Sequence, residues 1–299
     1  PGDGGMVAGR IVNPNGENIE QVSVAISGAM QESMITGTDG QFQFSLDMGA
    51  NYTVTPVKDM NPLNGVSTFD LVLISKHILG ITSFDSPYQH IAADVNKSGS
   101  ITAFDMVQIR RLILNITTEF EGNDSWRFVD GKYEFTSENP AAEDFAELMD
   151  ITNLATNMMD VDFVGVKVGD VNGSASANSL LGAEVRNTNG ALTFNVADQF
   201  VEAGQTVSVD FTSANIATAQ GYQFTMNFAG LELANVVEGV AKAANFNTNL
   251  AERGVLATSW NGEATADDVL FSLSFTATTD GLLSDLVSVS SDLTDYRHE

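Results

Sequence analysis

Residues 94–105 read DVNKSGSITAFD and run directly into MVQIRRLILNI. Side-chain oxygens fall at every second position, a glycine follows, and an aspartate stands where an apolar, helix-spaced run begins. Calcium takes six to eight oxygens at flexible geometry, and a short loop supplies them by turning alternate side chains inward. With Asp94 as position 1, Asn96 and Ser98 fill positions 3 and 5, and Gly99 gives the sharp turn at 6. Ser100 offers its carbonyl at position 7, Thr102 acts directly or through water at 9, and Asp105 closes the loop at 12. A competing reading, an Asx turn followed by an N-capping aspartate, accounts for Asp94 and Asp105 but leaves the other four residues unexplained.

The loop has a partner. FDLVLISKHILGI (69–81) and FDMVQIRRLILNI (104–116) overlay with a 35-residue offset, matching Ile74 with Ile109, Ile78 with Ile113, Leu79 with Leu114 and Ile81 with Ile116. Each is a helix-spaced segment with one apolar face, and two such units most simply bury those faces against each other. The earlier loop, DMNPLNGVSTFD (59–70), places Asp59, Asn61 and Asp70 at positions 1, 3 and 12, but Leu63 falls at 5. Either Asn64 or a backbone carbonyl takes that slot, or the loop has lost its ion. A third turn, GDVNGS (169–174), sets Asp170, Asn172 and Ser174 at alternate positions, with its glycine displaced and Leu181 at position 12. There a plain turn competes with a further ion. The expectation is therefore Ca2+ at the second loop, with the first loop and the third turn as further candidates. The EF-hand pattern ends in glutamate; aspartate at position 12 brings the helix closer to the ion.

The flanks read differently. QVSVAISG, TDGQFQF and the run from Tyr52 to Val57 alternate in polarity with turn signals between them, and Asn15-Gly16 is a turn dipeptide. Residues 1–57 therefore predict a small β-sandwich. Residues 58–122 form the loop–helix module. Residues 123–175 predict an extension packed on it, with a strand pair around Gly131 in NDSWRFVDGKYEF, a short acidic helix in AAEDFAELMDI, and a strand in VDFVGVKV. GSASANS (173–179) is a linker candidate. Residues 176–299 carry ALTFNV, QTVSVDFTS, GYQFTMNFAGLELANVVEG, GVLATSW and DVLFSLSFTAT, the strands of a second, larger sandwich. The fold class expected is multidomain and mainly β, with two Ig-like or prealbumin-like β-sandwiches flanking a small helical, EF-hand-like module.

Two loop–helix units that each close on Asp resemble a type I dockerin domain over 59–120. GRIVNPNG and TDGQFQF resemble the carboxypeptidase regulatory-like, prealbumin-type domains, which serve as structural spacers. AGQTVSVDF, GYQFTMNFAGLELANVVEG and DVLFSLSFTA resemble a cohesin-like sandwich. The dockerin resemblance implies a calcium-dependent plug for a cohesin partner in an extracellular bacterial assembly. Type I dockerins often carry a Ser/Thr pair at loop positions 10 and 11; here the pairs are Thr68-Phe69 and Ala103-Phe104, so that partner specificity does not transfer.

Composition narrows the function. The chain of 299 residues carries 13 Lys+Arg against 39 Asp+Glu, a formal net charge of -26, which disfavours binding to a phosphate backbone. It has no cysteine, so disulfides and thiolate zinc sites are excluded. No apolar run approaches a membrane span. PGDGGMVAGR has no n-region or h-region, and with SSDLTDYRHE it reads as a cut end of a longer precursor whose signal peptide has gone. The three histidines, His77, His90 and His298, form no H-E-x-x-H, and no G-x-S-x-G, P-loop or G-x-G-x-x-G occurs. The acidic residues could supply a carboxylate pair for glycoside hydrolysis only by geometry, and Trp126 and Trp260 read first as core. The reading is binding without catalysis. The chain is expected to be a secreted or cell-surface, calcium-stabilised assembly subunit that joins other copies of itself head to tail. The alternative is a polysaccharide-binding or docking component of a polysaccharide-degrading system.

Overall fold

In the first sandwich, alternation along the chain becomes alternation across a sheet. Strands β1 (Gly4–Val12) and β4 (Gln41–Asp47) pair antiparallel and turn Val7, Ile11, Phe42, Phe44 and Leu46 inward. Opposite lie β2 (Ser23–Gly28), β3 (Glu32–Ile35) and β5 (Tyr52–Val57), which contribute Val24, Ile26, Tyr52 and Val54. The computed structural model describes residues 4–179 and 192–291. Leu181, the first residue of ALTFNV, His298 and the rest of the C-terminal end lie outside them.

Two more strands complete this sandwich from far along the chain. β6 (Trp126–Asp130) pairs antiparallel with β8 (Phe163–Lys167), and β8 runs parallel to β1, with Ile11 opposite Phe163. The sheets are β4-β1-β8-β6 and β3-β2-β5-β7, the last strand being β7 (Met149–Ile151) beside β5. The segment 123–175, expected as an extension packed on the helices, is thus part of the first sandwich. Trp126, Phe128 and Phe163 lie in its core, and burying each such ring is worth about 1.5–3 kcal/mol. Gly9 shows how closely the segments meet: a Cβ there would fall 1.9 Å from the Val161 carbonyl oxygen.

Local expectations fail here for identifiable reasons. AAEDFAELMD forms no α-helix, because Pro140 starts a single 3-10 turn (Pro140–Ala142) and the acids bind elsewhere. Glu143 accepts the Thr136 and Ser137 N–H groups and the Tyr133 hydroxyl, while Glu147 takes the Arg127 guanidinium. Around Gly131 only β6 is a strand, since Gly131 donates to the Asp162 carbonyl. GSASANS is no free linker. Ala175 and Ala177 are buried in the core, Asn178 donates to the Asn18 carbonyl, and Ser179 binds Glu20.

The helices are α1 (Thr68–Ile78), α2 (Pro87–Ala93) and α3 (Ala103–Ile113). α1 and α3 match the sequence periods; α2 does not follow from them, although Ser86-Pro87-Tyr88-Gln89 is a capping box with proline in the first turn. Leu71, Ile74, Ile109, Ile113 and Leu114 are buried as expected, whereas Leu79 and Ile81 lie past the end of α1 and are 68% and 67% exposed.

By contact density the chain forms two units. One comprises residues 4–66, 77–105 and 119–179; the other comprises 67–76, 106–118 and 192–291. The second unit holds β9 (Phe200–Val201), β10 (Thr206–Phe211), β11 (Gly221–Phe228), β12 (Leu231–Glu238), β13 (Phe246–Asn247), β14 (Val255–Asn261), β15 (Phe271–Ala277), β16 (Gly281–Leu282), α4 (Leu283–Leu286) and β17 (Val287–Ser290). Sheets β10-β15-β12 and β13-β14-β11-β17 enclose Phe224, Met226, Phe228, Trp260, Phe271 and Phe275, a sandwich core like the one the sequence predicts.

The outward face of β13-β14-β11-β17 is small and polar, yet Thr225, Ala257 and Ser259 on it are fully buried. Residues 67–76 and 106–118 of the same unit account for this. Thr68 donates from its N–H to Gln223 Oε1 at 2.6 Å, and its hydroxyl meets that of Ser259 at 2.7 Å. Lys76 reaches Gln220, Arg110 donates to Asn261 Oδ1, and Asn247 donates to the Leu114 carbonyl at 2.7 Å. At Gly221 a Cβ would stand 2.9 Å from the Thr68 methyl.

Candidate functional site

α2 delivers Asp94 at its C-terminal end, and the loop then folds around that carboxylate. Asp94 Oδ1 accepts the Ser98 N–H at 2.9 Å and Oδ2 accepts the Gly99 N–H at 2.7 Å. Asn96 Oδ1 accepts the same Ser98 N–H at 3.0 Å, and the Ser98 hydroxyl reaches the Ser100 carbonyl at 3.0 Å. Left-handed backbone at Lys97 (φ 55°) and Gly99 (φ 76°) bends the chain back onto the Asp94 carboxylate. At the far end, Asp105 Oδ2 accepts the Thr102 N–H and hydroxyl, and Oδ1 accepts the Val95 N–H at 3.1 Å. Asp105, in the first turn of α3, therefore caps that helix and ties the two ends of the loop together.

Both carboxylates are fully buried, at 0% exposure. Burial pushes the Asp105 carboxyl above the usual range; its bonds to Thr102 pull the other way, and the nearby Asp94 charge adds to the rise. The neighbouring ammonium, Lys97, is turned to Glu147 at 3.5 Å. Two buried like charges flanked by an amide, hydroxyls and a carbonyl make a donor set suited to a hard cation. Among the described residues no group of three or more His, Cys, Asp or Glu gathers at one point; this loop offers two carboxylates and otherwise neutral oxygens.

The earlier loop is arranged differently. Asp59 is exposed and its Oδ1 accepts both the N–H and the hydroxyl of Ser125, each at 2.9 Å. Asn61 is exposed with φ 52°. Asn64 exchanges two hydrogen bonds with the Ser176 backbone, at 2.8 and 3.0 Å. In the other unit, Asp70 is buried and Oδ2 accepts the Ser67 N–H and hydroxyl at 2.8 and 3.0 Å, the same bracket as Thr102 and Asp105 at the 35-residue offset. Phe69 and Phe104, the residues before these aspartates, are 52% and 57% exposed, so neither is core.

Around the third turn, Asp170 Oδ1 accepts the Ser174 N–H at 3.1 Å, Oδ2 accepts the Ala175 N–H at 2.7 Å, and Asn172 Oδ1 accepts the Ser174 N–H at 2.9 Å. Asp170 is buried, which raises its carboxyl above the usual range against the pull of its N–H donors and of the Lys167 ammonium. Lys167, unremarked in the sequence, donates to the Pro62 and Val168 carbonyls at 2.7 and 3.0 Å.

Two of the histidines meet in space. The His77 ring stacks on Phe84 at 4.2 Å and lies 5.0 Å from His90, and Nδ1 of His77 accepts the Phe84 N–H at 3.1 Å. Burial lowers both imidazole pKa values; at His90 the His77 charge adds to this, and a hydrogen bond to the Phe84 backbone opposes it. The folded state thus binds fewer protons than the unfolded chain, whose imidazoles titrate near about 6.5. This contribution to stability is complete above that value and is lost as pH falls through the lowered folded values. Urea midpoints at pH 7.5 and 5.5, both at saturating calcium, should differ more in the wild type than in a His77→Gln/His90→Gln protein; equal differences would refute the coupling.

Residues 57–114 match the sequence profile described as the Dockerin type I domain, which spans both loop–helix units. No curated protein matches the chain. Among solved structures, the chain is similar to the full-length major pilin SpaD from Corynebacterium diphtheriae, at 8% identity and a TM-score of 0.30, covering 91% of this chain and 56% of that one. It is also similar to a DUF3823 family protein from Bacteroides uniformis ATCC 8492, at 8% identity and a TM-score of 0.22, covering 93% and 84%. The chain thus spans little more than half the length of SpaD.

Proposed function

We propose that this chain is a calcium-stabilised structural subunit of an extracellular assembly, which joins other copies of itself by docking its loop–helix segment on a sandwich. The observation that carries the reading is the buried polar face of β13-β14-β11-β17, which Thr68, Arg110 and the C-terminal end of α3 cover with directed hydrogen bonds. A dockerin-matching segment and a surface complementary to it occur in one chain. Such a pair can close on itself or join the next copy. Joining is heterologous, and where the rotation does not close it gives an open filament. The partner is therefore a protein, first of all another copy. Calcium at Asp94, Asn96, Ser98, Ser100, Thr102 and Asp105 adds its binding free energy to the folded state. The role is one of binding and not of catalysis.

The polysaccharide alternative loses its most direct support, because Trp126 and Trp260 are 2% and 4% exposed and offer no open stacking face. Negative-stain microscopy of the purified protein, with calcium and then with chelator, should show fibres that dissolve on chelation. Monomers under both conditions, with retention on an insoluble polysaccharide, would establish the alternative instead.

A further inference from the structure

We infer that the turn at 170–175 and the Gly65 carbonyl of the first loop, which lie in the same unit, form one calcium site, so that these two candidates are one composite site and the chain binds two ions. This rests on the calcium reading above and specifies which residues serve it. The turn DVNGSA (170–175) repeats DVNKSG (94–99), and it repeats three of its backbone N–H hydrogen bonds. Ser98 donates its N–H to Asp94 Oδ1 and Asn96 Oδ1, and Gly99 to Asp94 Oδ2; Ser174 donates to Asp170 Oδ1 and Asn172 Oδ1, and Ala175 to Asp170 Oδ2.

The junction, and not the turn alone, identifies the missing half. In the second loop the Ser98 hydroxyl donates to the carbonyl of Ser100, position 7, at 3.0 Å. The Ser174 hydroxyl donates at 3.1 Å to the carbonyl of Gly65, a residue 109 positions away. Gly65 lies 35 residues before Ser100, the offset of the repeat, so it is position 7 of the first loop. A Cβ on Gly65 would fall 2.6 Å from the Ala175 nitrogen and 2.7 Å from Asp170 Oδ2, with φ at +76°; only glycine allows this approach.

The first loop's own leading residues have been displaced from the role. Asp59 is held by Ser125, and Asn64 by the Ser176 backbone. Lys167 fastens the Pro62 carbonyl beside the turn. Asp170, Asn172 and Ser174 then stand at positions 1, 3 and 5, in place of Asp59, Asn61 and Leu63. Lys167 is the competing cation for Asp170, and the stoichiometry separates the two.

Calorimetric titration of the whole protein with calcium should give two equivalents. Asp170→Asn should remove one, and Asn172→Ala should weaken one site by at least about tenfold, in the range metal sites lose when a supporting residue is removed. Asp59→Asn should leave both equivalents and their affinities unchanged. Since Asp170→Asn could disturb folding, Asn172→Ala, on an exposed side chain, provides the independent check. Three equivalents, or one equivalent abolished by Asp105→Ala, would overturn the composite site, as would loss of a site in Asp59→Asn with Asn172→Ala unchanged. No calcium uptake by the wild type would instead overturn the calcium reading on which it rests.

Discussion

Asp105→Ala removes one calcium equivalent and lowers the melting temperature of the protein far more in calcium than in chelator. In the absence of the ion the substitution has two opposing effects. It deletes the acceptor for the Thr102 and Val95 N–H groups, a capping loss of about 1 kcal/mol. It also relieves the repulsion between Asp105 and Asp94 inside the fold. With calcium a third term dominates, because an ion that binds only the folded state stabilises it by about 2.7 kcal/mol at a hundredfold excess over Kd. Calorimetric titration gives the stoichiometry, and thermal scans in calcium and in chelator give the difference. Equal calcium uptake by variant and wild type would remove Asp105 from the site.

Phe163→Ala should cost about 3–5 kcal/mol, as for other buried phenylalanines, and the loss should fall on the first sandwich alone. Phe163 is fully buried and stands opposite Ile11 in the parallel pairing of β8 with β1. Each sandwich contains one tryptophan, Trp126 in the first and Trp260 in the second, so fluorescence in Trp260→Phe and Trp126→Phe backgrounds follows each unit separately. The Trp126 transition should move to lower denaturant while the Trp260 transition stays in place. A shift under about 1 kcal/mol, the usual surface range being within ±0.5 kcal/mol, would mean that β8 contributes nothing to the first core.

The second loop was legible because every oxygen proposed for it lies within twelve consecutive residues, and the bonds its two carboxylates accept reach no further than Val95 to Asp105, ten positions apart. The first loop was not. It reads as a damaged copy, with Leu63 at position 5, and the residue that meets its Gly65 carbonyl, Ser174, stands 109 positions downstream. The acidic run at 141–150 misleads for a related reason: periodicity reports what a segment could do alone, and Glu143 and Glu147 are committed to Thr136, Ser137 and Arg127. α2 was missed although its capping box was present, since seven residues are too few to show an apolar period.

By itself the sequence determined the mainly β class, the paired loop–helix units at a 35-residue spacing, and the oxygen pattern of residues 94–105. These follow from local stereochemistry: alternation in strands, turns at glycine, and side chains set inward by a loop a dozen residues long. Only the tertiary structure decided that β6, β7 and β8 complete the first sandwich, that Asp59 turns to Ser125, and that Asp170 lies beside Gly65. Those outcomes depend on strand pairing and burial between segments a hundred residues apart. There the free energy belongs to the assembled core, and no window of the chain records it.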